Sequence, residues 1–248
     1  MTDYFEVHER DGAARLGELR LDAPLATPAL ADGVVRDAGS LWNAERDMPD
    51  GDESALTVLP HRAYPAGTRE EVVDAFAPDY AEAAAAVDGP SAAAISSDAP
   101  EAGGAADASV DAYVLSNAQG VVGHASAFAD AVIDVRGAVP ADTALYLSGV
   151  ATPLNVATLV YAGVDLVDAK RARVKGSQGK YLTDEGERFL EDLDELPCSC
   201  PACQVPREEF DRAACEQHNV NALEAELRRV RRRIREGRLR DYVEGQAR

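Results

Sequence analysis

The chain has 248 residues, 46% of them hydrophobic, and a formal net charge of -19. That size suits one large domain or two small ones, and the composition is ordinary for a protein with a buried core. The opening MTDYFEVHERDG has no apolar signal core and no stretch approaches eighteen uncharged apolar residues, so secretion and membrane insertion are not indicated and a cytoplasmic location is expected.

Only Lys170, Lys175 and Lys180 are lysines; the other basic residues are arginines. Acidic, Lys-poor and Ala-rich usage points to a halophilic, high-salt cytosol. At about 1 M salt the Debye length shrinks to about 3 Å, so a polyanion has to be held by local contacts rather than long-range attraction.

Along the chain, Phe5 to Val7 and Arg15 to Leu21 read as a hairpin around the turn at Asp11-Gly12. Strand-length apolar runs follow at Leu56 to Leu59, Ala92 to Ile95, Ala112 to Leu115, Leu145 to Leu147 and Val164 to Val167. Helical patterns lie between them at 69–87, 123–137 and 153–162, the last opened by Thr152-Pro153 and closed by Gly163. This alternation predicts parallel βαβ units, in a barrel or a doubly wound sheet. Polar residues cluster just past the strands, at His61, Ser96, Ser97, Ser116, Asn117, Ser148 and Asp168, where either architecture has its functional face. The Ala/Gly/Asp-rich stretch 97–109 is expected to be an exposed loop.

From Leu196 the character changes, which divides the chain into a barrel domain at 1–195 and a smaller module at 196–248. All four cysteines lie between 198 and 215, ahead of a long Arg-rich helix whose Val220, Leu223, Leu227, Val230 and Ile234 make one apolar stripe. Gly237 suits its C-cap. The segment RLRDYVEGQAR starts another helix, and the chain reads as the front part of a longer protein.

CSCPAC at 198–203 and CEQHN at 215–219 supply Cys198, Cys200, Cys203 and His218, a tetrahedral Cys3His set for a structural zinc ion with no open coordination position. Cys198 and Cys200 are too close for an easy disulfide, and Cys215 is an alternative fourth ligand. Residues 228–240 hold eight arginines and one glutamate. They form either a solvated face paired with the acidic surface or a strip for nucleic-acid phosphates, with Arg228, Arg231, Arg232 and Arg235 as the contacts.

Three segments together resemble the tRNA-guanine transglycosylase family: FEVHERDGAARLGELRL with Thr27-Pro28, then YLSGVATP through GVDLVDA to KYLTDEG, then CSCPAC with His218-Asn219 and IREGRL. The resemblance implies a (β/α)8 TIM barrel, incomplete here because about 190 residues precede the zinc module against about 250 for a full barrel. It also implies a tRNA substrate and a homodimer formed through the zinc module. Asp168, the second aspartate of GVDLVDA, stands at the family's nucleophile position; on residues alone it reads rather as a strand-end aspartate capping the next segment, and the resemblance brings the two readings level.

Two family features are missing. No S-D-[ST]-G motif follows an early strand, since Ser97-Asp98 runs into Ala-Pro, and YVLSNAQGVVGH replaces the family's Gly-Gly loop. Losing a proton donor for the leaving base typically costs about 10²–10⁴-fold in rate. LTVLPHRAYPAGT and DAYVLSNAQGVVGH look closer to the archaeosine synthase branch. That branch implies action on the deazaguanine already inserted in the tRNA D-arm, further C-terminal domains including an RNA-binding PUA domain, and a partner enzyme of the archaeosine pathway. The alternatives are a catalytically silent tRNA-binding scaffold and an active transglycosylase using Asp168.

Overall fold

The computed structural model describes residues 4–37, 51–62, 64–65, 67–101, 104–106, 108–118 and 125–246. The chain opens with three antiparallel strands, β1 (Phe5–Asp11), β2 (Ala14–Leu19) and β3 (Leu25–Thr27). Its centre is a parallel sheet of β4 (Ala29–Leu30), β5 (Val35–Asp37), β6 (Leu56–Val58), β7 (Ser91–Ile95), β8 (Ala112–Leu115), β9 (Ala144–Leu147) and β10 (Leu166–Val167), in the order β4-β10-β9-β8-β7-β6-β5.

The two edge strands, β4 and β5, are neighbours in the chain. Between them Ala31 N–H donates to the Val167 carbonyl on one side (2.7 Å), and the Val34 carbonyl accepts from Leu56 N–H on the other (2.8 Å). Residues 29–37 therefore act as one interrupted strand on which both edges of the sheet meet, and the sheet curls into a barrel-like ring with, among the described residues, fewer strands than the eight of a full barrel. A narrow ring is filled by alternating small and large inward side chains, and Ala29, Ala31, Ala92, Ala112 and Ala144 occupy the small positions.

Strand alternation sends Leu56, Val58, Val114, Tyr146 and Leu166 inward with those alanines, and Ile95, Tyr113, Leu115, Leu145, Leu147 and Val167 outward against the helices. Phe5 and Leu19 of the antiparallel strands, with Leu21 just after β2, join the inner cluster and plug the N-terminal end of the ring. Arg15 on β2 locks the plug. Its guanidinium bonds both oxygens of Asp165, and it donates to the carbonyls of Ala141 (2.6 Å) and Thr143 (2.9 Å), with both side chains buried. Among the described residues no comparable plug fills the C-terminal mouth.

Expected helix 69–87 is two short helices, α1 (Glu70–Ala75) and α2 (Tyr80–Ala85). Pro78 interrupts the pattern, and the Asp79 side chain caps α2 by accepting from Glu82 N–H (2.9 Å). α3 (Ala125–Ala138) and α4 (Val156–Tyr161) lie in the other two helical patterns; residues 123 and 124 fall outside the described set. Within 97–109 the expectation of an exposed loop is met in part: Asp98, Glu101, Gly104 and Ser109 are exposed, but Ala99, Ala105 and Ala108 are buried. Their side chains are small enough to pack beneath the loop, and the Tyr113 hydroxyl ties the loop down at the Ala106 and Ala108 carbonyls (both 3.1 Å).

After β10 come α5 (Lys170–Ser177), the hairpin β11 (Lys180–Leu182) and β12 (Glu187–Phe189), α6 (Arg212–Arg235) and α7 (Leu239–Gln246). The predicted stripe of α6 is buried in the outer apolar cluster alongside Val156, Leu159 and Val160 of α4. Gly176 lets α5 and α6 cross closely, since a Cβ there would stand 2.5 Å from the Glu216 Cα.

Candidate metal centre and barrel-mouth site

Cys198 and Cys200 sit in irregular chain, Cys203 ends a single turn at Pro201–Cys203, and His218 lies on the second turn of α6. Asp211 starts that helix by accepting from Ala214 N–H (2.9 Å). The four ligand atoms lie within 4.8 Å of one another. Cys200 and Cys203 sulfurs are 3.6 Å apart, and His218 Nδ1 lies 3.5 Å from the first and 3.3 Å from the second.

A tetrahedral ion with metal–sulfur bonds of about 2.3 Å and a metal–nitrogen bond of about 2.0 Å needs edges of roughly 3.8 and 3.6 Å. The residues fit such an ion with little adjustment. His218 Nε2 donates to the Leu182 carbonyl (2.9 Å), which leaves the Nδ1 lone pair facing the sulfurs. Burial lowers the pKa of His218 and so favours its neutral, ligating form. Without an ion, burial pushes the Cys203 thiol up to about 12, so metal binding has to expel its proton. Cys215 stands apart, buried with its thiol toward the Lys180 carbonyl (3.5 Å), and is outside the ligand group.

At the C-terminal mouth of the ring is a cavity of about 530 Å³. The inward row of the strands ends there in Ser116, Ser148 and Asp168, with His61, Asn117 and Lys170 on the walls. Asp168 is buried, and one of its oxygens accepts from the hydroxyls of Tyr146 (2.9 Å) and Ser148 (2.7 Å). The other accepts from the backbone N–H of Gly149 (2.8 Å) and Lys170 (3.2 Å). Lys170 Nζ closes the group, 3.2 Å from Asp168 and 3.0 Å from Ser148 Oγ. Burial, and then the charge of Asp168, raise the pKa of the Tyr146 hydroxyl and keep it a donor.

Asp98 is exposed and turned to the rim, where it accepts from Gly67 N–H (2.9 Å) and from Asn117 Nδ2 (3.2 Å). Residues 119–124 of YVLSNAQGVVGH lie outside the described set.

The arginines of α6 divide by face. Arg228, Arg232 and Arg235 are exposed, with Arg228 3.7 Å from Glu224 and Arg232 4.0 Å from Glu236. Arg231, on the same side, is half-buried and donates to the Pro28 carbonyl (2.6 Å), so it braces the start of β4. Arg229 is turned away into a network with Glu226, Asp184 and Tyr242. Tyr146, Lys170, Asp165 and Arg15 were not singled out from sequence. The GVDLVDA motif held the one available signal, since its first aspartate is the buried partner of Arg15.

A family model described as queuine tRNA-ribosyltransferase matches residues 90–248. The whole chain is 63% identical to an archaeosine synthase of Haloferax volcanii, covering 41% of that protein. It is 37% identical to the archaeosine synthase subunit alpha of Methanosarcina acetivorans, covering all of this chain and 43% of the relative. Similarity to a tRNA-guanine(15) transglycosylase of Haloferax volcanii is 36% over 126 residues, 48% of this chain and 24% of that one. The chain spans about two fifths of the archaeosine synthases it matches.

Proposed function

The chain belongs to the queuine tRNA-ribosyltransferase family, and from that premise we propose that it is the transglycosylase-like part of an archaeosine-synthase-type protein, modifying the D-arm of tRNA after base exchange. Similarity to archaeosine synthases along all 248 residues supports this reading, whereas similarity to the transglycosylase covers about half.

The observation that carries it is the state of Asp168. Four hydrogen bonds and a lysine ammonium already hold its carboxylate. A carboxylate so stabilised is a weak nucleophile, because attack on a ribose carbon would first have to give up those bonds. Asp98, the nearest counterpart of the family's second aspartate, is tied to the rim and away from the cavity. In this reading Asp168 organises the barrel mouth, with Ser148 and Lys170 placed to orient a nucleoside there.

Cys198, Cys200, Cys203 and His218 hold a structural zinc ion, which supplies no open coordination position and pins α6 to the barrel. Arg228, Arg232 and Arg235 contact tRNA phosphates, and Arg231 aligns that face through Pro28. Residues 196–248 act as the tRNA-docking module of the 1–195 barrel domain and as the contact with a second copy of the chain. A partner enzyme of the archaeosine pathway completes the modification. A tRNA substrate implies work in the cytoplasm, and among the described residues no helix is long and apolar enough to cross a membrane.

The test is to incubate the chain with archaeal tRNA and labelled guanine or deazaguanine. Salt-resistant tRNA binding with neither label exchange nor a covalent adduct is the expected result. Exchange that disappears in Asp168→Ala would overturn the reading in favour of an active transglycosylase.

A further inference from the structure

β11 crosses beside the four ligands, and its middle residue, Tyr181, is fully buried. Alternation along the strand turns Tyr181 away from its neighbours and into the cluster that holds Cys203 and Phe210. Its ring lies flat on the His218 imidazole, with centroids 3.7 Å apart and planes 12° from parallel. Its hydroxyl lies 3.5 Å from Cys203 Sγ. The next residue, Leu182, offers the carbonyl that takes His218 Nε2. One dipeptide thus addresses two of the four ligands.

Asn219, the residue after His218, fixes that dipeptide in place. It accepts from Leu182 N–H (2.9 Å) and donates to the Lys180 carbonyl (2.9 Å) and to the Ala172 carbonyl of α5 (3.0 Å).

We infer that Tyr181 is an outer-shell positioning residue of the metal centre, holding the His218 ring by stacking and the Cys203 sulfur by a hydrogen bond. The inference rests on the zinc reading above. Three thiolates and a neutral imidazole around a divalent ion leave a net charge of minus one in a partly buried place, and a hydroxyl aimed at the buried Cys203 sulfur draws off part of it.

The test compares the wild-type chain with Tyr181→Phe and Tyr181→Leu, each checked for native circular dichroism. Zinc affinity is measured by competition with a chromogenic chelator, and the cobalt-substituted forms are examined for their sulfur-to-metal charge-transfer bands. Tyr181→Phe should still bind one zinc per chain, with affinity lowered about 10–100-fold and the cobalt band displaced. Tyr181→Leu, which also loses the stack, should bind more weakly still. Wild-type affinity and an unchanged cobalt spectrum in Tyr181→Phe would overturn the inference and leave the zinc reading intact. A wild-type chain that takes up neither zinc nor cobalt would overturn both.

Discussion

Replacing Arg15 by methionine removes the cation that ties the N-terminal strands to the barrel. Among the described residues, the Asp165 side chain would keep only the Leu145 N–H (2.8 Å) as a hydrogen-bond partner and would remain as a charge with 1% side-chain exposure. The two carbonyls that Arg15 serves fare better, because Ala141 still accepts from Arg10 (3.1 Å) and Thr143 from Arg136 (2.9 Å). The loss is therefore governed by the stranded carboxylate, and breaking a buried pair in this way costs about 3–5 kcal/mol. At roughly 2–4 °C per kcal/mol for a chain of this size, the melting temperature should fall by about 6–20 °C. The assay is thermal unfolding of the zinc-loaded chain by circular dichroism, at low and at molar salt, with Arg15→Met, Asp165→Asn and the double variant side by side. The double variant should recover most of the loss, since it strands no charge, and the Arg15→Met deficit should be nearly independent of salt because so buried a pair is little screened. A deficit under about 1 kcal/mol, or a double variant at the sum of the singles, would refute the reasoning.

Stripping the metal with a strong chelator should unfold the segment around 196–218 and loosen the start of α6, read as loss of near-ultraviolet dichroism and a lower melting temperature; Cys200→Ser should mimic it. Replacing Arg228, Arg232 and Arg235 together by alanine should weaken tRNA binding and flatten its log-affinity against log-salt slope, by about 0.7–0.9 for each phosphate no longer neutralised. Arg231→Ala should instead lower stability, by freeing the Pro28 carbonyl, and unchanged melting would argue against that role. Lys175 and Lys180 bond Glu187 (2.7 and 2.6 Å) and hold its carboxyl below the usual range. Its contribution is therefore present above about pH 4.3 and lost as pH falls through the depressed value. It is less than about 1 kcal/mol because the group is well exposed. The stability gap between wild type and Glu187→Gln should close on acidification.

Gly176→Ala should also destabilise, typically by about 1–3 kcal/mol, since the new methyl meets first the backbone N and Cα of Glu216 on α6, which cannot swing aside as its side chain could. Unfolding in denaturant would measure it, and an undiminished midpoint would mean that the two helices part at no cost.

Where the physics is local, the amino-acid order was enough. The runs Ala92 to Ile95 and Ala112 to Leu115 read as strands because an apolar run of that length bounded by polar residues suits a sheet buried on both faces. The α6 stripe showed at three and four spacing, and the ligand set was visible because three cysteines within six residues are hard to explain otherwise. Strands of two or three residues, β3, β4, β5 and the hairpin β11-β12, carry too few positions to show a period. The eight residues of α5 were likewise hidden, since Lys170-Arg171-Ala172-Arg173 shows no apolar face.

What this sequence determined by itself is therefore a parallel α/β scaffold, a Cys3His centre and an arginine-dense helix, each a property of residues close together in the chain. The tertiary structure decided how they are used. The meeting of both sheet edges on residues 29–37, the pairing of Arg15 with Asp165, the division of arginines between bracing and exposure, and the stacking of Tyr181 on His218 join segments as many as 203 residues apart. No local pattern encodes such pairings, because they depend on which surfaces meet once the sheet has curled.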